Sequence, residues 1–432
     1  MHRVVRGMRY ILWGLVVSVI VYITSQNVAY FPLMYIQNII DDTHFKLRFV
    51  LNDSDEIKNN EIVIVDIDDR TLRRFGSYGR FIPRMYFGRV IGNIKNDNAR
   101  LIFLDALMKG VDSPTDNSVL ADSLRSAGNV FSGFYLELNP SSKNQRPPDS
   151  VFNEKFLNWL ELKDIEKTDF LKSEGVSFSY HELIMSSERI GFTNCLPDPD
   201  GVVRHIPLYI LHKKLLFQAI SLELWQNLKE LNLYDAKIYA NGVDFGNSFI
   251  PTDKHSFLRI NFENSKNVYK YVSFIDVLDG DFERGIFRNK IVMIGSSSPR
   301  FNDIKKIPGF KTLPGVEIHA AALSTMLDKK FLNVISGTGT FLITVICGIV
   351  ASLFFSHTHP IKSGLLFLVI VSLIFYFAAV YCFFVMSLLI NITIPVFTVI
   401  LLWILSAYKT KLKRKFGFSP VYMLSQKLKG NK

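Results

Sequence analysis

The chain has 432 residues, of which 48% are hydrophobic, and a formal net charge of +11. That length holds a sizeable domain plus membrane elements, and 3 cysteines are too few for a disulfide framework. The charge is not a nucleic-acid signature, because no basic–aromatic surface or reader motif accompanies it and the basic residues gather beside apolar segments.

Arg3, Arg6 and Arg9, in a basic start of residues 1–9, precede the apolar run Tyr10–Thr24. No small-residue cleavage site follows, so the run reads as an uncleaved first span over residues 10–30 with its N-terminus in the cytoplasm. Ile39–Leu51 looks amphipathic and lies where the span enters the next module.

Residues 41–335 read as one mixed module. Glu61–Ile67 is a strand, Pro83–Lys95 a helix with Tyr86, Val90 and Ile94 at helical spacing, and Arg100–Leu104 a second strand. Asn117–Ala127 is a helix and Asn129–Leu136 a third strand. Strands alternating with helices of this length imply right-handed crossovers and a mainly parallel sheet. Ser141–Pro148 is polar and Pro-rich, hence a loop; residues 151–188 give a mixed signal.

Arg189–Asn194 and Val202–Leu211 flank Pro197–Gly201, which reads as a hairpin-like turn. Leu216–Leu231 is an amphipathic helix, Leu258–Phe262 a strand and Phe274–Leu278 a short helix. Ile291–Ile294 is a buried strand ending in Gly295. In Val316–Leu327, residues Val316, Ala320, Leu323 and Leu327 recur at spacings of three and four, as in a helix packed on a sheet.

Three apolar runs close the chain, at residues 339–356, 364–384 and 388–408, followed by a basic tail, 409–432. Short connections at His357–Lys362 and Met386–Ser387 imply an antiparallel three-helix group. With one N-terminal and three C-terminal spans, both termini fall on the basic, cytoplasmic side and the module on the other. None of the last three spans carries Asp, Glu, Lys or Arg in its interior, which counts against a pump or transporter. Gly348, Ala351, Ala378 and Ala379 are small enough for close helix contacts.

Asp66, Asp68 and Asp69 follow the first strand, Asp105 the second, and Gly295, Ser296, Ser297 and Ser298 the late one. In an open α/β sheet, the carboxyl ends of parallel strands line the crevice where ligands bind. An acidic edge suits a cation or an amine-bearing ligand, and the amides after Gly295 suit an anion. The same residues also serve as caps and turn formers, Asp69 and Asp105 among them. The Gly-x-Ser-x-Gly elbow spacing fails at Gly295, and Glu317 sits two residues from His319, so neither a nucleophile nor a metal pair emerges. Catalytic residues, cofactors and metal ligands are therefore not expected.

Taken together, Ile62–Asp69, Pro83-Arg84, Leu101–Ala106, Gly191–Arg204, Ile275–Leu278, Phe287–Gly295 and Pro314–Leu332 resemble the type 2 CHASE family. These are extracellular sensory domains of bacterial cyclases, histidine kinases and protein kinases, and the likeness covers nearly the whole chain. Tyr78–Ile82 stands where the family has tryptophans. Phe416–Val421 is similar to the linker that leads into adenylate cyclase domains, and catalytic residues are not expected in the few positions after it.

The resemblance implies a multi-pass protein of the bacterial inner membrane that senses a small ligand or a periplasmic protein. Glu317 and His319 would lie on the relay helix, and a separate cytoplasmic or membrane output protein would receive the signal. A homodimer is expected from the family. The alternatives are a docking subunit of an envelope complex and a truncated receptor adenylate cyclase.

Overall fold

Two long helices open the chain, α1 (His2–Ser25) and α2 (Phe31–Leu51). Strands and helices then alternate through β1 (Ile62–Asp66), α3 (Asp69–Arg74), α4 (Arg84–Asn96), β2 (Leu101–Leu104), α5 (Pro114–Ala127) and β3 (Val130–Glu137). After β4 (Gly175–Ser177) and β5 (Arg189–Phe192) come α6 (Ile220–Leu228), β6 (Lys270–Ser273), α7 (Phe274–Asp279), β7 (Ile291–Gly295) and α8 (Gly315–Leu327). The chain continues with β8 (Asn333–Val334), α9 (Gly337–His357), α10 (Pro360–Met386), β9 (Leu388–Leu389) and α11 (Thr393–Phe416). The computed structural model describes residues 2–26, 31–52, 57–76, 82–110, 113–138, 169–213, 215–231, 236–263, 268–301, 303–358 and 360–416. The expected loop at 141–148, most of Tyr78–Ile82 and the tail beyond Phe416 lie outside these residues. The chain divides into a sheet unit, residues 45–331, and a helical unit, residues 1–44 and 332–432.

In the sheet unit the strand order is β6-β1-β7-β2-β3, with β5 beside β3, and all of these pairs are parallel. Among the described residues of this sheet, β4 alone runs antiparallel, on the far half of β3. Every residue of β1, β2 and β7 is buried, as expected when helices cover both faces of a parallel sheet. Period-two alternation sorts their side chains. Val63, Val65, Ile102, Leu104, Val292 and Ile294 join one apolar core with Val90, Ile94, Leu120, Leu124 and Phe274 of α4, α5 and α7. Ile64, Phe103 and Met293 point to the opposite face, where the Phe103 ring meets His319 of α8 edge-on at 6.0 Å between centroids.

Two family-motif residues prove to be packing devices. Arg84 is buried at the start of α4, and it donates to Asn117 Oδ1 at 2.5 Å and to the carbonyls of Lys109 and Gly110 at 3.0 Å. Gly191 of β5 lies so close to α6 that a Cβ there would sit 2.6 Å from Ile220 Cα.

Two expectations in the sheet unit need correction. Arg189–Asn194 and Val202–Leu211 do not form a hairpin: β5 joins β3 in the main sheet, and His205–Pro207 pairs instead with Phe257–Arg259. The turn between them is real, closed by Gly201 N–H donating to Asp198 O at 2.8 Å. Buried Arg204 locks it by pairing with Asp198 Oδ2 at 2.6 Å and Asp200 Oδ2 at 2.8 Å. The helix expected over Leu216–Leu231 starts only at Ile220, because Leu215–Gln218 is the returning strand of a hairpin with Tyr209–His212.

In the helical unit, Gly7–Ser25, Gly337–His357, Ser363–Met386 and Thr393–Leu412 are long and apolar enough to cross a membrane. Small residues bring α1 and α9 together: a Cβ on Gly14 would lie 2.5 Å from Gly348 O, and Ser18 Oγ donates to Thr344 O at 3.2 Å. Ala351 lies in the apolar core of this unit, and Ala379 is buried on α10. Residues 388–392, expected to be helical, form β9 and a non-helical link, so α11 starts at Thr393.

Close packing gives a paired test of the sheet unit. Gly295→Ala would bring a Cβ to 2.5 Å from Val316 Cβ and should cost about 1–3 kcal/mol. Gly92→Ala, inside α4 with no atom within 4 Å of the new Cβ, should stabilise by roughly 0.5–1 kcal/mol. Thermal unfolding of the full chain in detergent, followed by circular dichroism, should move in opposite directions for the two variants.

Candidate functional site

Because β1, β7 and β2 are parallel neighbours, their carboxyl ends reach one edge together. Asp66 stands in register with Gly295, and Leu104 with Ile294, so Asp105 follows directly, its N–H donating to Ile294 O at 2.9 Å. The sequence-predicted groups after the three strands are therefore gathered as the parallel reading requires. Most of them, however, are already engaged with one another.

Asp66 accepts from Ser297 N–H at 2.8 Å and from Ser297 Oγ at 2.6 Å. Burial still raises its carboxyl above the ordinary range, against the pull of those two bonds. Ser296 Oγ donates to Ile67 O at 2.7 Å, which ties the loop after β7 to the end of β1. Asp68 is the N-cap of α3, accepting from Thr71 N–H at 2.7 Å and Thr71 Oγ1 at 2.8 Å. Partial desolvation works against these bonds, yet they and others hold its carboxyl below the usual range. Asp69 accepts from Ser298 Oγ at 2.8 Å and lies 3.9 Å from Arg300 Nε, with most of its side chain exposed.

Glu317 stands in the first turn of α8 with the residue only 6% exposed, and its Oε2 accepts from Tyr271 Oη at 2.6 Å. Burial pushes its carboxyl up to about 7; the Tyr271 bond opposes this and the charge of Asp66 adds to it. A buried acid poised at this height exchanges a proton near neutral pH. Gly295 allows the approach of α8, since its missing side chain leaves room for Val316.

Asp105 belongs to a second group at the same edge. Burial pushes it up to about 7, with Asp303 raising it further and Lys305 lowering it. Lys305 Nζ is 3.2 Å from Asp303 Oδ1, and the Asp303 carboxylate occupies the space a side chain on Gly315 would need. His319 Nε2 lies 3.6 Å from Cys195 Sγ. Burial lowers the imidazole to about 4 and raises the thiol, so both are neutral at pH 7. The pair is consequently not an activated thiolate. Among the described residues, no three His, Cys, Asp or Glu side chains come together to hold a metal ion.

Tyr271, Cys195, Asp303 and Lys305 were not among the sequence-predicted site residues. Cys195 and His319 are 124 residues apart and Tyr271 and Glu317 46 apart, so no local spacing joins them. Tyr271 sits on the short edge strand β6, whose Lys-Tyr-Val-Ser sequence is too brief to register as a strand.

A family model described as the CHASE2 domain matches residues 15–354. No curated protein and no solved structure matches the chain.

The raised carboxyl of Glu317 has a definite sign in stability. Unfolded, it titrates near 4.5; folded, near 7. Between those values the folded chain binds more protons, so this contribution is complete below pH 4.5 and vanishes as pH rises through 7. Asp105 and Glu223 move in the same direction, so the comparison must be with a variant. Glu317→Gln should lose less stability than the parent between pH 5 and 8, by on the order of 1–3 kcal/mol. Parallel unfolding-midpoint curves for the two proteins would sink this assignment.

Proposed function

The chain belongs to the CHASE2 domain family, and from that premise we propose that it is a membrane-anchored extracytoplasmic sensor. The sheet unit binds a small ligand or a periplasmic protein at the carboxyl edge of β1, β7 and β2. Occupancy passes along α8 to the membrane helices and from there to an output protein on the inner side.

One observation carries the reading. The first two turns of α8 contribute Glu317 and His319 to the two side-chain groups at the sheet edge, and the chain leaving the same helix enters the candidate span α9 ten residues after Leu327. A ligand that changes protonation or hydrogen bonding at Asp66, Glu317 or Asp105 therefore acts on the helix that precedes the membrane. Such a ligand shifts the arrangement only by its differential affinity for two states, with a coupling of about 1–3 kcal/mol. Arg9 in the first turn of the first span, and Lys409 and Lys411 at the end of the last, support cytoplasmic termini.

Orientation and binding are tested separately on the full chain, with Cys195, Cys347 and Cys382 replaced for the labelling arm. Asp122→Cys, on the exposed side of α5, should react with a membrane-impermeant maleimide in intact cells. Ser425→Cys, in the basic tail beyond the last span, should react only after permeabilisation, and the reverse pattern would overturn the reading. In detergent, a metabolite at about 100 times its Kd should stabilise the parent by about 2.7 kcal/mol. The double variant Asp105→Asn, Glu317→Gln should lose most of that shift. A shift of equal size in both proteins would remove the sheet edge as the binding site.

A further inference from the structure

Within the helical unit, three stretches far apart in sequence meet around residues 387–393. β8 and β9 pair in parallel, with Asn333 opposite Leu388 and Val334 opposite Leu389. Asn333 N–H donates to Ser387 O at 2.9 Å, and Ile335 N–H donates to Leu389 O at 2.9 Å. Ser387, just past the end of α10, has φ +51°, a left-handed conformation uncommon for a residue with a side chain.

Gln37 of α2 holds the same stretch from another side. Its Nε2 donates to Ile390 O at 3.0 Å and to Asp41 Oδ1 at 2.8 Å. Its Oε1 accepts from Ile392 N–H at 3.0 Å and from Thr393 N–H at 3.3 Å. These two N–H groups stand at the start of α11, where a helix has no acceptor of its own. A side chain from a distant helix thus takes the place of an N-cap. Gln37 is buried, so its amide satisfies donors and acceptors that water does not reach.

The connectivity gives this clamp a direction. β8 begins two residues after the sheet unit ends at Phe331, and α2 carries the chain into that unit at Phe45. The way out and the way in are therefore both bonded to residues 387–393. A pair of two-residue strands has little stability of its own; both residues of β8 are exposed, but Leu389 of β9 is buried, so the bond its carbonyl accepts from Ile335 N–H is the one costly to leave unmade.

We propose that Gln37 and the β8–β9 pair form the coupling point at which the sensor's signal is handed to α11, in addition to the covalent route through α9. The inference rests on the sensor reading above. Movement of residues 333–335 draws residues 387–389 with it, and α11 follows because Gln37 ties the link after β9 to its first turn. α9, packed against α1 at Gly14 and Gly348, is the fixed partner, and α11 is the output helix.

Hydrogen–deuterium exchange on the full chain in lipid nanodiscs tests this without any ligand. In the parent, the amides of Ile392 and Thr393 should be protected. Gln37→Leu, which removes every amide bond, should speed their exchange about five- to thirtyfold. Gln37→Glu keeps the acceptor for Ile392 and Thr393 and should give a smaller increase. Ile335→Pro removes only the bond to Leu389, and it should also speed exchange at Ile392–Ile394. If Ile335→Pro alters α9 alone, or Gln37→Leu leaves Ile392 and Thr393 as slow as in the parent, the proposal is overturned. Should Gln37→Leu fail to assemble, Gln37→Glu and Ile335→Pro still decide. A reversed maleimide pattern would overturn the sensor reading but leave these exchange rates unchanged, so the two failures are distinguishable.

Discussion

Strand β7 carries backbone hydrogen bonds on both sides, to β1 along Ile62–Asp66 and to β2 along Leu101–Leu104. It is the last strand of the main sheet to be made, yet it occupies the centre. Until it is in place nothing joins β1 to β2, and Asp66 and Asp105 have no reason to share an edge. The sheet therefore depends on a pairing of high sequence separation, whose loop-closure cost is met only when the core closes. Asp97 helps set that pairing by accepting from Gly285 N–H at 2.6 Å and Phe287 N–H at 2.8 Å in the approach to β7.

The same placement explains why the edge is poised rather than strongly charged. Asp66 and Glu317 are brought together with Tyr271 under α8, and Asp105 is brought near Asp303, Lys305 and Cys195. Burial disfavours ionisation, and serine and tyrosine hydroxyls satisfy what remains. Carboxyls raised this way change their proton count near neutral pH. That response bears directly on α8, because Glu317 and His319 are part of the helix itself.

Much of this was legible in advance. The β-branched runs at Ile62, Leu101 and Ile291 and the periodic apolar residues of α4 and α8 identify their elements, because burial on two faces, or on one stripe, leaves a local imprint on residue choice. That the residues after β1, β2 and β7 gather at one edge was legible too, since parallel strands place their carboxyl ends together. Hidden from the sequence were Tyr271 on a four-residue edge strand, the Cys195–His319 contact and the clamp at Gln37, each a meeting of distant segments. Residues 388–392 were misread as helix because their apolar character suits a span. Pro395 and the Asn391–Thr393 pair were the available signals for a later start, since proline favours the first turn and Asn391 Oδ1 accepts from Thr393 Oγ1 at 3.0 Å.

Residue order by itself determined the class of the fold, the parallel sense of the sheet and the four segments fit to cross a membrane, since each is written in nearest-neighbour periodicity or in the length of an apolar run. Tertiary structure decided which strand lies between which, which carboxyls are engaged and which raised, and where α11 is held. Those outcomes depend on burial and on contacts between residues tens to hundreds of positions apart. No local pattern records such contacts, because their energy exists only once the chain has closed on itself.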